Sequence, residues 1–235
     1  MEIKSVNNQL VKDLAKLNES KYRKLTNTFI VEGKHLVEEA RKCNLVIDAY
    51  SIEEKPGYIK LSEEAMKKIC NTNTVVSEIA VCKMLEKKEL TDKILILDSI
   101  QDPGNLGTIL RSAKAFNFNT VVLGLNSVDL YNPKVIRSSQ GAIFKLNIFQ
   151  ANLLEFIPSI SNDYKVYGTN VRNGIDIETL KKPKKLALIL GNEGNGISKE
   201  VDSLLKENIY IKLDNTESLN VAIAGAILMY EINKK

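Results

Sequence analysis

The chain reads as an α/β protein, with a small compact α/β unit first and a domain built on a mostly parallel sheet after it. Three observations predict this. Ile94 to Leu97, Thr120 to Leu123 and Leu186 to Leu190 are continuous apolar runs, the pattern of strands buried on both faces. Helical spacings alternate with these runs, which is the β-α order of a parallel sheet. A charged connector, Glu86 to Lys93, separates them from an earlier stretch of shorter elements. The boundary therefore falls near residue 90, giving domains 1–90 and 91–235.

Taken in order, Asn7 to Leu17 places Leu10, Val11, Leu14 and Leu17 at helical spacing. Thr28 to Val31 is a short strand, and Gly33 breaks it before a helix that runs through Arg41. Val46 to Ser51 reads as a strand, Pro56-Gly57 as a turn, Leu61 to Cys70 as a helix and Thr74 to Ser77 as another strand. Beyond the connector, helical patterns occupy Thr108 to Phe116, Pro133 to Ser139, Ser198 to Leu205 and Leu219 to Ile232. Lys165 to Tyr167 and Ile209 to Leu213 are weaker strands. There is no internal repeat. Lys181-Lys182-Pro183-Lys184-Lys185 is a basic loop just before a buried strand, either a solvated gatekeeper or an RNA contact.

The counts that exclude most are small ones. Among 235 residues there is one histidine, His35, at an ordinary helix start. A multi-histidine metal centre is excluded, and any imidazole-based triad would have to run through that residue. Cys43, Cys70 and Cys82 are odd in number, widely spaced and without a C-x-x-C pair, as expected of free thiols in a reducing compartment. Met1 to Leu10 is polar, with no secretory h-region, and the longest apolar stretch, Val221 to Tyr230, is too short to span a bilayer. The expectation is a cytoplasmic protein with no membrane partner. The net charge of +4 permits a nucleic-acid partner without demanding one.

In parallel sheets, ligands bind beyond the carboxyl ends of the strands. Three unusual segments stand at such places. Asp98 to Arg111 contains a Gly/Pro-rich loop leading into a helix, with Asn105 and Arg111 placed to face one pocket. Read singly, Asn105 is a helix cap and Arg111 a surface ion pair. Gly191-Asn192-Glu193-Gly194-Asn195-Gly196 has three glycines that let backbone approach a ligand, but neither dinucleotide-fold nor P-loop spacing. Glu193 would repel a phosphate there. Asn215 to Asn220 opens the last helix, whose first N–H groups are available to a ligand, with Ser218 a possible N-cap. Ala222, Ala224, Gly225 and Ala226 permit close helix packing, in the core or between subunits.

Together the three segments become specific. The order D-x-x-x-x-x-G-N-x-G-T-x-x-R, L-G-N-E-G-x-G-I and S-L-N-V-A-x-A resembles the SpoU/TrmH family of RNA ribose methyltransferases, of the SPOUT superfamily, from about Ile94 to Glu231. Asn132 to Ala142 is similar to that family's intermotif segment. Asn7, Asn8, Lys12 and Phe29-Ile30-Val31-Glu32-Gly33 resemble its ribosomal-protein-like substrate-binding domain. The resemblance implies a trefoil knot, a homodimer formed through it, S-adenosylmethionine as cofactor, and methyl transfer to a ribose 2′-hydroxyl of RNA. Large-subunit rRNA is the implied substrate, because the added N-terminal domain is typical of the ribosomal branch. The alternatives are a tRNA enzyme and a non-catalytic RNA-binding factor of the same fold.

Position by position, the resemblance makes Arg111, Asn105, Glu193, Ser218 and Asn220 catalytic-site residues. It gives cofactor-binding positions to Gly191, Ile211 and Leu219, with Thr169 and Gly196 beside them, and requires no metal. Lys212 departs from a usual proline, Asn117 from a common glycine, and the Ile211 to Leu219 loop is about one residue shorter than in several relatives. Arg111 is the implied activator of the hydroxyl. Arginine titrates above ~12, so a neutral form at pH 7 costs roughly 7 kcal/mol. Arg111 is thus either a transient base relieved by a substrate phosphate, or a permanent cation that anchors phosphate and stabilises the forming alkoxide. Glu193 would fix Arg111 by a charge-assisted pair.

Overall fold

The computed structural model describes residues 2–72, 74–171 and 173–234. It divides into two compact units, 2–85 with 129–144, and 86–128 with 145–234. The first 85 residues hold β1 (Glu2–Ile3), α1 (Gln9–Lys16), α2 (Ser20–Thr26), β2 (Thr28–Glu32), α3 (Lys34–Lys42), β3 (Val46–Ser51), β4 (Ile59–Leu61), α4 (Glu63–Ile69) and β5 (Glu78–Lys83). The chain continues with β6 (Lys93–Leu97), α5 (Pro103–Ala115), β7 (Thr120–Gly124), α6 (Pro133–Ser139), β8 (Asn147–Ala151), α7 (Leu153–Ile160) and β9 (Lys165–Thr169). It ends with β10 (Ile175–Asp176), β11 (Leu186–Leu190), α8 (Lys199–Asp202), β12 (Asn208–Tyr210) and α9 (Val221–Asn233).

The first unit carries a mixed five-stranded sheet in the order β1-β4-β3-β5-β2. Thr74 to Ser77, expected as a strand, is not one; the strand begins at Glu78 and pairs antiparallel with both β2 and β3. Helices α1 and α4 close one face, where Val11, Leu14, Leu61, Met66 and Ile69 are buried with Tyr50 and Ile79. Segment 129–144, continuous in sequence with the second unit, packs in this one. Arg23 is buried and donates to Asp129 Oδ2 (2.5 Å) and to the Leu17 and Asn18 carbonyls. Phe29 packs on Tyr131 and Phe144, and Arg137 reaches within 3.9 Å of buried Glu32.

The second unit is a seven-stranded, all-parallel sheet in the order β10-β12-β9-β11-β6-β7-β8. Strands β6, β7 and β11 are the three apolar runs, and apart from half-buried Lys93 their residues are buried. Strand β8 and helix α7 have no counterpart in the sequence reading, because Gln150 and exposed Leu154 blur the periodicities and Pro158 lies inside the helix. Asn117 adopts φ +61°, a left-handed turn that asparagine tolerates and glycine favours. Two of the small residues of α9 serve the core: Ala222 is buried, and Gly225 leaves room for Leu190, whose Cδ1 would lie 2.6 Å from an added Cβ. No helix among the described residues is long and apolar enough to cross a membrane.

Candidate active site

Every strand of a parallel sheet points its carboxyl end the same way, so the loops after β6, β9, β11 and β12 gather at one edge. Those after β9, β11 and β12, with the first turns of α9, line a cavity of about 510 Å³, within the range of small-molecule sites. All five residues expected to hold a cofactor, Thr169, Gly191, Gly196, Ile211 and Leu219, line it, and so do Glu193 and Ser218. Leu190, Val221 and Leu228 add apolar wall.

The loop after β11 is a tight hairpin. The Asn192 amide donates to the Gly196 carbonyl (2.8 Å) and the Gly196 amide to the Asn192 carbonyl (3.0 Å). The Asn192 side-chain oxygen accepts from the amides of Gly194 (2.9 Å) and Asn195 (3.2 Å). The fold allows no side chain at Gly191: a Cβ would stand 2.1 Å from both the Gly196 carbonyl carbon and the Ile197 nitrogen. Asp98, buried at the end of β6, anchors the far side of the hairpin by accepting from the Ser198 amide (2.8 Å). Sequence reasoning passed over Asp98 and Asn192. A charged residue directly after a buried apolar run, and an asparagine between glycine and acid in a turn, were the available signals.

Asn105, Glu193 and Asn220 are joined. Asn220 donates through Nδ2 to Asn105 Oδ1 (3.0 Å), and Asn105 donates through Nδ2 to Glu193 Oε1 (3.1 Å). Glu193 also accepts from the backbone amides of Asp102 (3.1 Å) and Gln101 (3.3 Å). Partial burial works upward on the Glu193 carboxyl, but the bonds from Asn105 and from the Glu193, Asp102 and Gln101 amides outweigh it and hold it below its ordinary range. The helix caps differ from expectation. Asp102, not Asn105, caps α5, accepting from the Asn105 amide (2.8 Å). Asn220, not Ser218, caps α9 and takes up the Ala222 and Ile223 amides, so those N–H groups are occupied.

Arg111 stands apart from this network. Helix α5 begins at Pro103, five residues earlier than expected, so Asn105 sits in its first turn and Arg111 six residues further along it. Six residues of helix turn about 600°, which places the two side chains about 120° apart around the axis. Glu193 bonds to Asn105 and the loop amides, and the expected Glu193–Arg111 pair is not formed. Among the described residues, exposed Arg111 has no hydrogen-bond or ion-pair partner. No described group of histidine, cysteine, aspartate and glutamate side chains could hold a metal ion.

Comparison with known proteins gives a consistent picture. The SpoU rRNA Methylase family matches residues 92–230, and the MRM3-like substrate binding domain matches 8–95. The 23S rRNA (guanosine(2553)-2′-O)-methyltransferase RlmP of Bacillus subtilis is 39% identical, over 98% of this chain and 98% of its own length. A structure of a TrmH-family RNA methyltransferase from Porphyromonas gingivalis superposes with a TM-score of 0.86 at 31% identity, covering 97% of this chain and 98% of that one. AdoMet-bound rRNA methyltransferase from Sinorhizobium meliloti gives a TM-score of 0.87 at 25% identity, over 99% and 97%.

Proposed function

The chain belongs to the SpoU rRNA methylase family, and on that premise we propose that it methylates a ribose 2′-hydroxyl of large-subunit ribosomal RNA, using S-adenosylmethionine. The single observation that carries this is the cavity at the strand ends, bordered by five family-matched positions and joined through Glu193 to Asn105 and Asn220. The likeness to the B. subtilis relative makes a 23S guanosine the substrate to test first.

The site fits the cofactor. Gly191 lets the Gly196–Ile197 backbone pack against it and so closes the hairpin that borders the cavity, and Leu190, Ile211, Leu219 and Leu228 offer apolar contact to an adenine ring. When bound, the cofactor supplies a methyl group on a sulfonium. The chain must then hold the ribose in line with it and manage one hydroxyl proton. Arg111, exposed and unpartnered among the described residues, is available to a substrate phosphate and to the oxygen that gains negative charge. Asn105, held between Glu193 and Asn220, orients the ribose, with Ser218 beside it. Glu193 acts through Asn105 as a positioning residue. Residues 1–90 serve as the RNA-binding domain and 91–235 as the methyltransferase domain, with the trefoil knot of the family. Exposed Ile223, Ile227 and Tyr230 form one apolar stripe on α9, which supports a homodimer. The protein works in the cytoplasm, without a metal.

The test is direct. Large-subunit RNA incubated with the protein and methyl-labelled cofactor, then digested to nucleosides, should yield a labelled 2′-O-methyl nucleoside. Label found only on bases would refute the reading.

A further inference from the structure

The strands of the parallel sheet begin at the edge opposite the cavity, and lysines collect there. Strands β6, β9 and β11 are neighbours that start in register, Leu186 pairing with Lys93 on one side and Lys165 on the other. Neighbouring strands lie about 4.8 Å apart, so Lys165 and Lys93 flank Leu186 on one line, and Lys185 stands one residue before it. Residues 86–92 follow the same edge. The Lys88 amide donates to Asn147 Oδ1 (2.8 Å) at the start of β8, and the Thr91 amide to Thr120 Oγ1 (3.0 Å) at the start of β7. The loop Lys181-Lys182-Pro183-Lys184-Lys185 completes the row, with four lysines in five residues.

This loop is not neutralised. Lys182 Nζ donates to the Lys234 carbonyl (2.6 Å), Lys185 Nζ lies 5.4 Å from the centre of the Tyr164 ring, and Lys181 and Lys184 are exposed. Among the described residues none of the four has a carboxylate partner. Lys93 donates to uncharged Asn233 (2.7 Å). Burial, with the ammonium of Lys182, pushes the Lys93 ammonium below its ordinary range. The edge also carries carboxylates, which do not pair with the loop: Glu207 pairs with Lys165 and Glu231 with Lys234, while Glu86, Glu89, Asp92 and Asp163 are exposed. The loop does not guard an open strand edge either, because β11 is paired on both sides.

We propose that this lysine edge is a second RNA-binding surface, which holds phosphodiester backbone of the substrate away from the target ribose. A polyanion with closely spaced charges satisfies several ammoniums at once and releases their counterions. Lysines suit backbone contact that positions without reading sequence. The inference rests on the reading of the chain as an RNA methyltransferase. Five-residue strands separate the two edges by roughly 17 Å, so only a large folded RNA engages both.

The experiment compares the full-length protein with K181A/K182A/K184A/K185A and with K181E/K184E, whose two sites are exposed and unpartnered. Affinity for protein-free large-subunit ribosomal RNA is measured across a salt series. Methylation is measured on that RNA and on its shortest fragment that is still methylated. The quadruple variant should bind the large RNA roughly 10- to 100-fold more weakly, with a log–log salt slope shallower by about 2 to 4. Its KM for large RNA should rise, while kcat, the KM for the fragment and S-adenosylmethionine affinity stay unchanged. The double variant should move in the same direction, and a Lys→Arg set should restore binding. An unchanged slope, or an equal loss on the short fragment, would overturn the proposal. So would variants that lose binding only to phosphatidylserine vesicles, which would make the edge a membrane surface. Should the unmodified protein methylate no RNA at all, the functional reading fails, and the salt series still decides whether the edge binds RNA.

Discussion

In the five-stranded unit, the buried polar side chains among the described residues are mostly charged, and each charged one faces an opposite charge that is partly exposed. Arg23 meets Asp129, Lys55 reaches buried Glu78 (3.2 Å), and Arg137 approaches Glu32. Among the described residues of the parallel-sheet unit the buried polar ones are Asp98, Thr120, Ser127 and Asn147, of which only Asp98 is charged, and it anchors the glycine loop. The other polar groups of its carboxyl edge stay accessible and bond to amides, as Asn105, Glu193 and Asn220 do. The difference is physical. A charge removed from water must be paired, so a buried ion pair specifies a fold, and removing one partner is costly. Groups that face solvent are held cheaply and remain free to meet a ligand. Substitutions in the first unit should therefore move stability and leave cofactor affinity alone, and those at the site should do the reverse.

The sharpest way to break that contrast is Arg111→Ala. Transfer should fall by about 10²- to 10³-fold, with the melting temperature and calorimetric affinity for S-adenosylmethionine unchanged, because Arg111 has no partner among the described residues to lose. Loss of cofactor binding with activity retained would reverse the assignment. Arg23→Ala is the counterpart. It strands Asp129, whose carboxyl is raised by burial but held low overall by Arg23, the Tyr131 amide and Ser20. Denaturant titration should show about 3 kcal/mol lost, with cofactor affinity intact in the folded fraction.

Gly191→Ala tests whether the two classes of effect ever meet. Its Cβ would strike the backbone of Gly196 and Ile197, so the hairpin must shift, at a cost of about 1–3 kcal/mol, and S-adenosylmethionine affinity should fall at least about tenfold. Acidification gives the smallest effect. The folded Glu193 carboxyl lies below its ordinary value of 4.5. Its contribution is therefore fully present above that value and is lost as pH falls through the folded-state value. Cofactor affinity followed by calorimetry should stay level from about pH 7 to pH 5 and decline only as pH falls below that ordinary value. Glu193→Gln should flatten that decline; a decline of equal depth in the variant would assign it to another group.

Much of this contrast is legible in the residues themselves. The runs at 94–97, 120–123 and 186–190 fix where the central strands lie, since only strands buried on both faces need every position apolar. The glycine and asparagine clusters directly after them mark the loops of the carboxyl edge, and their order carries the family. The single histidine excludes a multi-histidine metal centre, and the role of Arg111 comes from the family resemblance. Other features depend on partners far away in sequence. Segment 129–144 belongs with the first unit because Asp129 meets Arg23, 106 residues earlier, and no local pattern records that pairing. The join from Glu193 to Asn105 spans 88 residues, and the one from Asn220 to Asn105 spans 115. Local chemistry, meaning period, turn residues and caps, is written in neighbouring side chains, and so the sequence by itself determined the class of fold, the candidate residues and the edge where they gather. Which of those residues touch was decided only by the tertiary structure. Helix α5 takes in Asn105 as well as Arg111, so their six-residue spacing sets the two side chains about 120° apart, and Glu193 bonds to Asn105 rather than to Arg111.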